Sequence, residues 1–151
     1  MRAARSAEPG TIRLERTFKA SPGRVFAAWA EPATRALWDV PGRIIAEQTF
    51  DFRKGGREVK RFGPKDDPRF VAETTYIDIV PQERIVFAYG MTARDVPISV
   101  SLTTVELSRV PEGTRLLLTE QIVLLDGGDK LAHREEGLSS MLDKIGAISG
   151  A

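Results

Sequence analysis

The most restrictive feature of this sequence is one long amphipathic helix pattern at its C-terminal end. Apolar residues recur from Leu131 to about Ile148 at the spacing of a single helix face, namely Leu131, Leu138, Leu142 and Ile145. A helix with one apolar face has to bury that face against another layer of structure. An antiparallel sheet whose other face meets water supplies such a layer. The chain is therefore expected to pack one sheet against one C-terminal helix.

Seven segments ahead of that helix carry the pattern of β-strands. The first, from Thr11 to Lys19, alternates apolar and polar residues apart from Arg16, which is typical of a half-buried strand. The others cover residues 44–53, 57–62, 69–80, 84–91, 97–108 and 114–125. Short polar turns such as Gly55-Gly56 separate them. Short strands joined by short turns predict an antiparallel meander.

Two short helices are expected between the first two strands. Ser21-Pro22 fits an N-cap and a first helical residue, because the hydroxyl accepts a free N–H and proline has none to lose. Glu31-Pro32 interrupts the pattern, and Ala33 to Trp38 forms a second helix that the Pro41-Gly42 turn ends. Asp129 is the expected N-cap of the long helix.

The size and charge of the chain narrow the class of protein. Its 151 residues fit one domain, which we expect to span residues 11–151 after a flexible tail at residues 1–10 that lacks the apolar core of a signal peptide. The net charge of +1 offers no electrostatic case for nucleic acid or a membrane surface. No apolar run approaches ~20 residues, so membrane insertion is not expected. The absence of cysteine excludes disulfides and thiolate chemistry and is compatible with the cytoplasm, where we place the protein.

Four short sequence motifs, taken in their order along the chain, resemble those of the START-like, or SRPBCC, superfamily. They are Val25 to Trp29 with Glu31-Pro32 and Leu37-Trp38, then Phe50 to Arg57, Ile79 to Phe87, and Gly113 to Gln121. The branch they resemble most is the family with homology to the activator of heat-shock-protein-90 ATPase. Because the first strand begins at about Thr11, we expect no room for the additional N-terminal domain of the eukaryotic co-chaperone. Co-chaperone activity is therefore not transferred to this chain.

The resemblance implies an α+β, helix-grip fold in which a curved seven-stranded antiparallel sheet surrounds a long C-terminal helix. It also implies a pocket for a small, mostly apolar molecule and frequent pairing into homodimers. Relatives in the superfamily include lipid carriers, hormone receptors and aromatase/cyclases, so the fold alone does not select a function.

Glu120 is the polar residue that strand parity singles out. It shares a strand face with Leu116, Leu118, Ile122 and Leu124, and burial of an unpaired carboxylate there would be costly. One interpretation is a pocket carboxylate that binds a polar ligand group or moves a proton. The alternatives are a buried glutamate paired with an arginine, or a bulge that turns the side chain outward.

Aromatic and aliphatic residues supply the predicted wall of the pocket. Tyr76 and Glu73 lie on opposite faces of a regular strand, so at most one of them faces the pocket. Tyr89 shares parity with Phe87, which favours an inward ring. The predicted ligand-binding residues are Trp38, Phe50, Phe52, Tyr76, Phe87, Tyr89, Leu118, Glu120, Leu138 and Leu142. Each tyrosine has core packing as its alternative role.

Other polar residues offer weaker signals. His133, the one histidine, is expected on the solvated side of the long helix, so no histidine-rich metal site is predicted and no cofactor is expected. Lys54, Arg57, Lys60 and Arg61 form a basic hairpin that we interpret as a solvated face. Gly137, in mid-helix, indicates either close approach of helix and sheet or room for a ligand.

Three functions stay open at the level of sequence. The leading one is a protein that binds a small hydrophobic ligand, since no nucleophile elbow, phosphate loop or metalloprotease motif occurs in the chain. The second is an enzyme of aromatase/cyclase or hydrolase type that uses Glu120 with Tyr76 or Tyr89. The third is a protein-interaction module linked to stress response, which predicts a large exposed apolar patch and little cavity.

Overall fold

The computed structural model describes residues 5–40 and 43–150. Its elements are β1 (Ala7–Phe18), α1 (Pro22–Ala30), α2 (Pro32–Trp38), β2 (Ile44–Phe50), β3 (Arg57–Gly63), β4 (Phe70–Val80), β5 (Arg84–Ala93), β6 (Val96–Val110), β7 (Gly113–Leu125) and α3 (Leu131–Ile148). The predicted α+β composition and the order of elements are both confirmed.

The seven strands form one antiparallel sheet in the order β1-β7-β6-β5-β4-β3-β2. From β2 to β7 each strand pairs with the next in the chain, as expected of a meander, while β1 pairs with the last strand. The helices α1 and α2 therefore lead from one edge of the sheet to the other. α3 packs on the concave face, which confirms the predicted helix-grip architecture.

Several element boundaries differ from the sequence-based expectation. β1 begins at Ala7 because Ala7 to Gly10 pair with Ile122 to Leu125, so that stretch belongs to the domain rather than to a tail. β2 ends at Phe50 rather than Arg53. The N-cap of α3 is Lys130, one residue after the predicted Asp129. The predicted Pro41-Gly42 turn lies outside the described residues.

The apolar face of α3 packs on the sheet as its periodicity predicts. Leu138, Leu142 and Ile145 are buried, whereas Leu131, at the start of the helix, remains 36% exposed. Phe18 of β1 lies within 3.0 Å of the position that a Cβ of Gly146 would take. The C-terminal half of α3 therefore approaches the sheet closely at this point. Among the described residues, no helix is long and apolar enough to cross a membrane.

Candidate functional site

A cavity of about 580 Å³ lies between the concave face of the sheet and the helices α2 and α3. Seven of the ten residues predicted from the sequence line it, namely Trp38, Tyr76, Phe87, Tyr89, Leu118, Glu120 and Leu138. Trp29 and Phe62 also contribute to its wall. The cavity falls within the size range of ligand pockets, which is roughly 300–1,000 Å³.

The prediction that Phe50, Phe52 and Leu142 line the cavity is wrong. The Phe50 ring instead stacks against the guanidinium of Arg35, with its centroid 4.8 Å from Cζ. Phe52 contacts the ring of Tyr76 edge to face at a centroid distance of 4.9 Å. Leu142 is fully buried between α3 and the sheet. All three side chains pack in or against the hydrophobic core rather than on the cavity surface.

Glu120 faces the cavity and is fully buried, with 0% of its surface exposed. Its Oε2 accepts hydrogen bonds from the hydroxyls of Tyr89 at 2.8 Å and Ser101 at 3.2 Å. Its Oε1 accepts one from Thr103 at 2.9 Å. A carboxylate in an apolar layer is tolerated when such donors satisfy it. The predicted outward bulge is therefore wrong.

Arg134 of α3 supplies the positive charge nearest to Glu120. Its Nη1 lies 3.7 Å from Oε2 of Glu120 and donates to the Tyr89 hydroxyl at 3.2 Å. Its Nη2 donates to the Ser99 hydroxyl at 2.9 Å and lies 3.1 Å from Oδ2 of Asp129. The predicted pairing of Glu120 with an arginine is thus confirmed, and the pair lies on the cavity wall. Arg134, Glu120 and Tyr89 form the α3 triad.

A second group of the same composition lies on the other side of the cavity. Arg35 of α2 donates from Nη2 to Oε1 of Glu58 at 2.9 Å and from Nη1 to the Tyr76 hydroxyl at 3.2 Å. The Tyr76 hydroxyl in turn donates to Oε1 of Glu58 at 2.8 Å. Gln48 donates to Oε2 of Glu58 at 2.6 Å. Arg35, Glu58 and Tyr76 form the α2 triad, in which Glu58 is 2% exposed.

Lys60 and Asp39 extend the α2 triad. Nζ of Lys60 lies 2.7 Å from Oδ1 of Asp39, and the other oxygen of Asp39 lies 3.4 Å from Nη2 of Arg35. Lys60 is only 9% exposed and lines the cavity. Its assignment to a solvated basic hairpin is therefore wrong, because Lys60 shares its strand face with the buried Phe62. Arg57 and Arg61, on the opposite face of β3, are exposed as predicted.

Strand register aligns the two triads on adjacent rows of the concave face. One row runs through Glu58, Thr74, Tyr89 and Ser101. The next row runs through Tyr76, Phe87, Thr103 and Glu120. The two carboxylates are four strands apart, roughly 19 Å along the sheet at ~4.8 Å per strand. A polar belt thus crosses the cavity wall, and the rings of Tyr76, Phe87 and Tyr89 lie along its middle.

Both tyrosine hydroxyls are held in their neutral form. Burial raises the pKa of Tyr76 far above its ordinary value, and the neighbouring Glu58 adds to the rise although Arg35 opposes it. Burial and the adjacent Glu120 raise the pKa of Tyr89 in the same way, against the effect of Arg134. Burial alone would lower the pKa of Arg35, but Asp39 and Glu58 outweigh it and raise that pKa. The tyrosines therefore act as hydrogen-bond donors to carboxylates at neutral pH.

Alkaline titration tests this hydrogen bonding directly, because Tyr76 and Tyr89 are the only tyrosines of the chain. We expect no tyrosinate absorbance near pH 10.0, the ordinary tyrosine pKa, while the protein stays folded. A folded-state pKa above the unfolded value means that the stabilisation is complete below pH 10.0 and is lost as the pH rises toward the folded value. Ultraviolet absorbance followed together with circular dichroism should show tyrosinate and unfolding appearing in one step. Urea-unfolded protein is the control, and tyrosinate in the folded protein at pH 10.0 would contradict the assignment.

The remaining sequence candidates occupy the edges of the site. Glu73 points outward with a side chain 61% exposed, so Tyr76 is the member of that pair that faces the cavity. The bulge in β4 follows Tyr76 and does not alter this assignment. His133 is exposed, as predicted, but also borders the cavity, and its Nδ1 lies 3.1 Å from Oδ1 of Asp129. Across residues 5–40 and 43–150, no three histidine, cysteine or acidic side chains form a group that could hold a metal ion.

Gly137 leaves open space between α3 and the rest of the cavity wall. A Cβ placed there meets no atom within 4 Å. The predicted alternative of close helix–sheet approach is therefore wrong at this position, and the alternative of open room is correct.

Sequence reasoning missed Arg35, Asp39, Glu58, Lys60 and Arg134. Parity contained a signal for two of them, because Glu58 and Lys60 alternate with Phe62 as an inward face would. No comparable signal marks Arg35 or Arg134. Their partners come from strands far away in the chain, and a helix pattern alone does not show where a long side chain will end.

The chain is similar to known proteins in both sequence family and structure. The family described as activator of Hsp90 ATPase homolog 1-like protein matches residues 19–150. The Mll3558 protein from Rhizobium loti is 46% identical, with a TM-score of 0.87 over 94% of this chain and 98% of that chain. An uncharacterized protein from Rhizobium leguminosarum is 36% identical, with a TM-score of 0.87 and 97% of each chain covered. The comparison with curated proteins finds no match.

The AHSA1-like protein from Aeromonas hydrophila has the same fold at lower identity. It is 20% identical, with a TM-score of 0.70 over 91% of this chain and 90% of that chain. At this identity the likeness concerns the fold alone.

Proposed function

Since this chain belongs to the family of activator of Hsp90 ATPase homolog 1-like proteins, a branch of the START-like (SRPBCC) superfamily, we propose that it binds a small, mostly apolar molecule in the cavity under α3. The observation that carries the proposal is a cavity of about 580 Å³ whose wall exposes more apolar than polar surface. An apolar molecule gains free energy when it leaves water for such a space.

The polar belt favours a ligand with at least one polar group. Thr74 and Thr103 line the cavity between the two triads, and their hydroxyls can donate or accept. A few placed polar groups within an apolar wall orient a ligand and give specificity. The bound molecule is therefore mostly apolar with a polar end, rather than a plain hydrocarbon.

The hydrogen bonds of Glu120 argue against the enzyme alternative. Both of its oxygens already accept hydrogen bonds from hydroxyls, so it is poorly placed to take a proton from a substrate. The raised pKa values of Tyr76 and Tyr89 make these hydroxyls weak proton donors at neutral pH. We therefore prefer binding to catalysis.

The interaction-module alternative has less support than the ligand-binding proposal. Val96, Val100 and Leu102 of β6 are exposed apolar residues, but the module predicts little cavity and a cavity of about 580 Å³ is present. The expected homodimer remains a prediction, with this face of β6 as one candidate contact. A cytoplasmic location also remains a prediction.

Gly137 offers a matched pair of variants that tests ligand binding. Gly137→Phe is expected to place a ring in the open space beside the cavity. It should weaken the binding of N-phenyl-naphthylamine, a neutral fluorescent probe, by about tenfold or more. Gly137→Ala should leave binding unchanged and raise the free energy of unfolding by about 0.5–1 kcal/mol, because alanine is the better helix former. Fluorescence titration measures the first effect and urea denaturation the second.

Native mass spectrometry of protein purified without refolding complements the titration. We expect a bound small molecule on the wild type and on Gly137→Ala, and much less of it on Gly137→Phe. The proposal fails if the wild type neither carries a small molecule nor binds the probe. It also fails if the ring at position 137 leaves probe binding unchanged in a folded protein.

A further inference from the structure

The two sides of the cavity carry opposite excess charge. On the β3 side, the cations Arg35, Arg43 and Lys60 outnumber the carboxylates Asp39 and Glu58 by three to two. The other side, on and beside α3, has Arg134 as its one cation among the described residues against three carboxylates, Glu120, Asp129 and Glu136. A monoanion would neutralise the first side and be repelled by the second.

Lys60 has hydrogen-bonding capacity that the protein does not use. Within the described residues its ammonium makes one hydrogen bond, to Oδ1 of Asp39 at 2.7 Å, although an ammonium carries three donors. Its Nζ also lies 5.3 Å from the centroid of Phe62, which supplies a weaker contact. Lys60 is nearly buried and lines the cavity. Two N–H groups of the nearly buried Lys60 ammonium can therefore donate to a ligand.

Arg43 and Arg35 add donors on the same side. The guanidinium of Arg43 stacks on Phe70, with Cζ 4.9 Å from the ring centroid, and no carboxylate of the described residues lies within 4.0 Å of it. Nε of Arg35 is buried and has no hydrogen-bond partner among the described residues. An arginine stacked on an aromatic ring keeps its edge free to bind an oxyanion.

We propose that the ligand carries a single anionic head group, a carboxylate or sulfonate, that Lys60 and Arg43 bind on the β3 side of the cavity. This inference rests on the proposed function and adds both the chemical class of the ligand and its orientation. The apolar body then lies along the rings of Tyr76 and Phe87, toward the hydroxyl-rich α3 side. A charge-assisted hydrogen bond to a poorly hydrated cation is about twice as strong as a neutral one, so the head group also contributes affinity.

Two probes that share one aromatic skeleton separate the head group from the apolar body. N-phenyl-naphthylamine is neutral, and anilinonaphthalene sulfonate carries one anionic group on the same rings. We expect the wild type to bind the sulfonate at least about tenfold more tightly than the neutral probe. Lys60→Met should abolish this preference and Arg43→Met should reduce it, where the preference is the ratio of the two dissociation constants measured on the same variant. Gly137→Phe should weaken both probes, which locates them in the cavity.

Arg61→Met is the matched control, because Arg61 follows Lys60 on β3 but points to the opposite, exposed face. It should keep the full preference for the sulfonate. The inference is overturned if the neutral probe binds and the sulfonate binds no more tightly, or if the preference survives in both variants, and ligand binding would then still stand. If neither probe binds, the proposed function fails together with the inference. Should Lys60→Met not fold, as circular dichroism would reveal, exposed Arg43→Met decides the question.

Discussion

Replacing Arg35 with methionine is expected to lower the free energy of unfolding by about 3–5 kcal/mol, because it leaves the buried carboxylate of Glu58 without its counter-charge. Arg35 lies 2.9 Å from Glu58 and 3.4 Å from Asp39. Glu58 would keep only the neutral donors Tyr76 and Gln48, while Asp39 would keep Lys60. Arginine and methionine have similar helix propensities, so the loss reports on the ion pairs rather than on α2. Urea denaturation followed by circular dichroism measures it.

Two further variants make the result of Arg35→Met interpretable. The double variant Arg35→Met with Glu58→Leu removes both charges and should recover more than about 1 kcal/mol, because apolar residues of similar size often replace a buried pair with little loss. Arg13→Met, on the exposed face of β1, should change stability by less than about 0.5 kcal/mol. If Arg35→Met is as stable as the wild type, then Arg35 and Glu58 do not form a stabilising buried ion pair.

Replacing Glu120 with alanine is expected to lower the free energy of unfolding by about 3–5 kcal/mol. The hydroxyls of Tyr89, Ser101 and Thr103 would lose their common acceptor, and each unsatisfied donor costs about 1–3 kcal/mol before any rearrangement. Arg134 would keep Asp129 as a partner at 3.1 Å, so the loss would come mainly from the hydroxyls. Chemical denaturation monitored by tryptophan fluorescence provides the measurement.

Conservative and matched changes separate the role of Glu120 from that of any ordinary strand glutamate. Glu120→Gln keeps the shape and one acceptor oxygen, so its loss should be smaller than that of alanine. Glu106→Ala, on the outward face of β6, should lie within about 0.5 kcal/mol of the wild type. Arg134→Met should cost less than Glu120→Ala, since the carboxylate keeps three hydroxyl donors. If Arg134→Met proves the more damaging change, then the ion pair, rather than the hydroxyl cluster, dominates this side of the cavity.

The architecture of this protein followed from local patterns in the chain. Period-two alternation indicated the strands, polar turns indicated their antiparallel pairing, and one apolar stripe placed α3 on the sheet. Parity also brought Glu120 and Tyr89 to the inner face and allowed only one of Glu73 and Tyr76 there, which the structure shows to be Tyr76. Parity works here because side chains of a strand alternate strictly between faces, so one inward residue identifies its neighbours two positions away.

The cavity wall was less predictable than the fold. Phe50 and Phe52 were expected to line the cavity, but β2 ends at Phe50, and the two rings pack against Arg35 and Tyr76 instead. Lys60 was assigned to a solvated face because Glu58 lies among the basic residues and the net charge of the chain is near neutral, although its own strand face also holds Phe62. The charges near Lys60 in the sequence do not reveal its burial, because its partner Asp39 lies at the end of α2.

The predicted cavity therefore persists, but its character has changed from a plain apolar pocket to one bounded by two Arg–Glu–Tyr triads. Three of the six triad residues, Tyr76, Tyr89 and Glu120, were predicted from the sequence to face the cavity. The pairing within each triad could not be predicted, because Arg35 and Glu58 are separated by 23 positions in the sequence and Arg134 and Tyr89 by 45. A buried charge needs a partner, and in both triads the arginine of a helix finds its carboxylate on a distant strand, which no local pattern encodes.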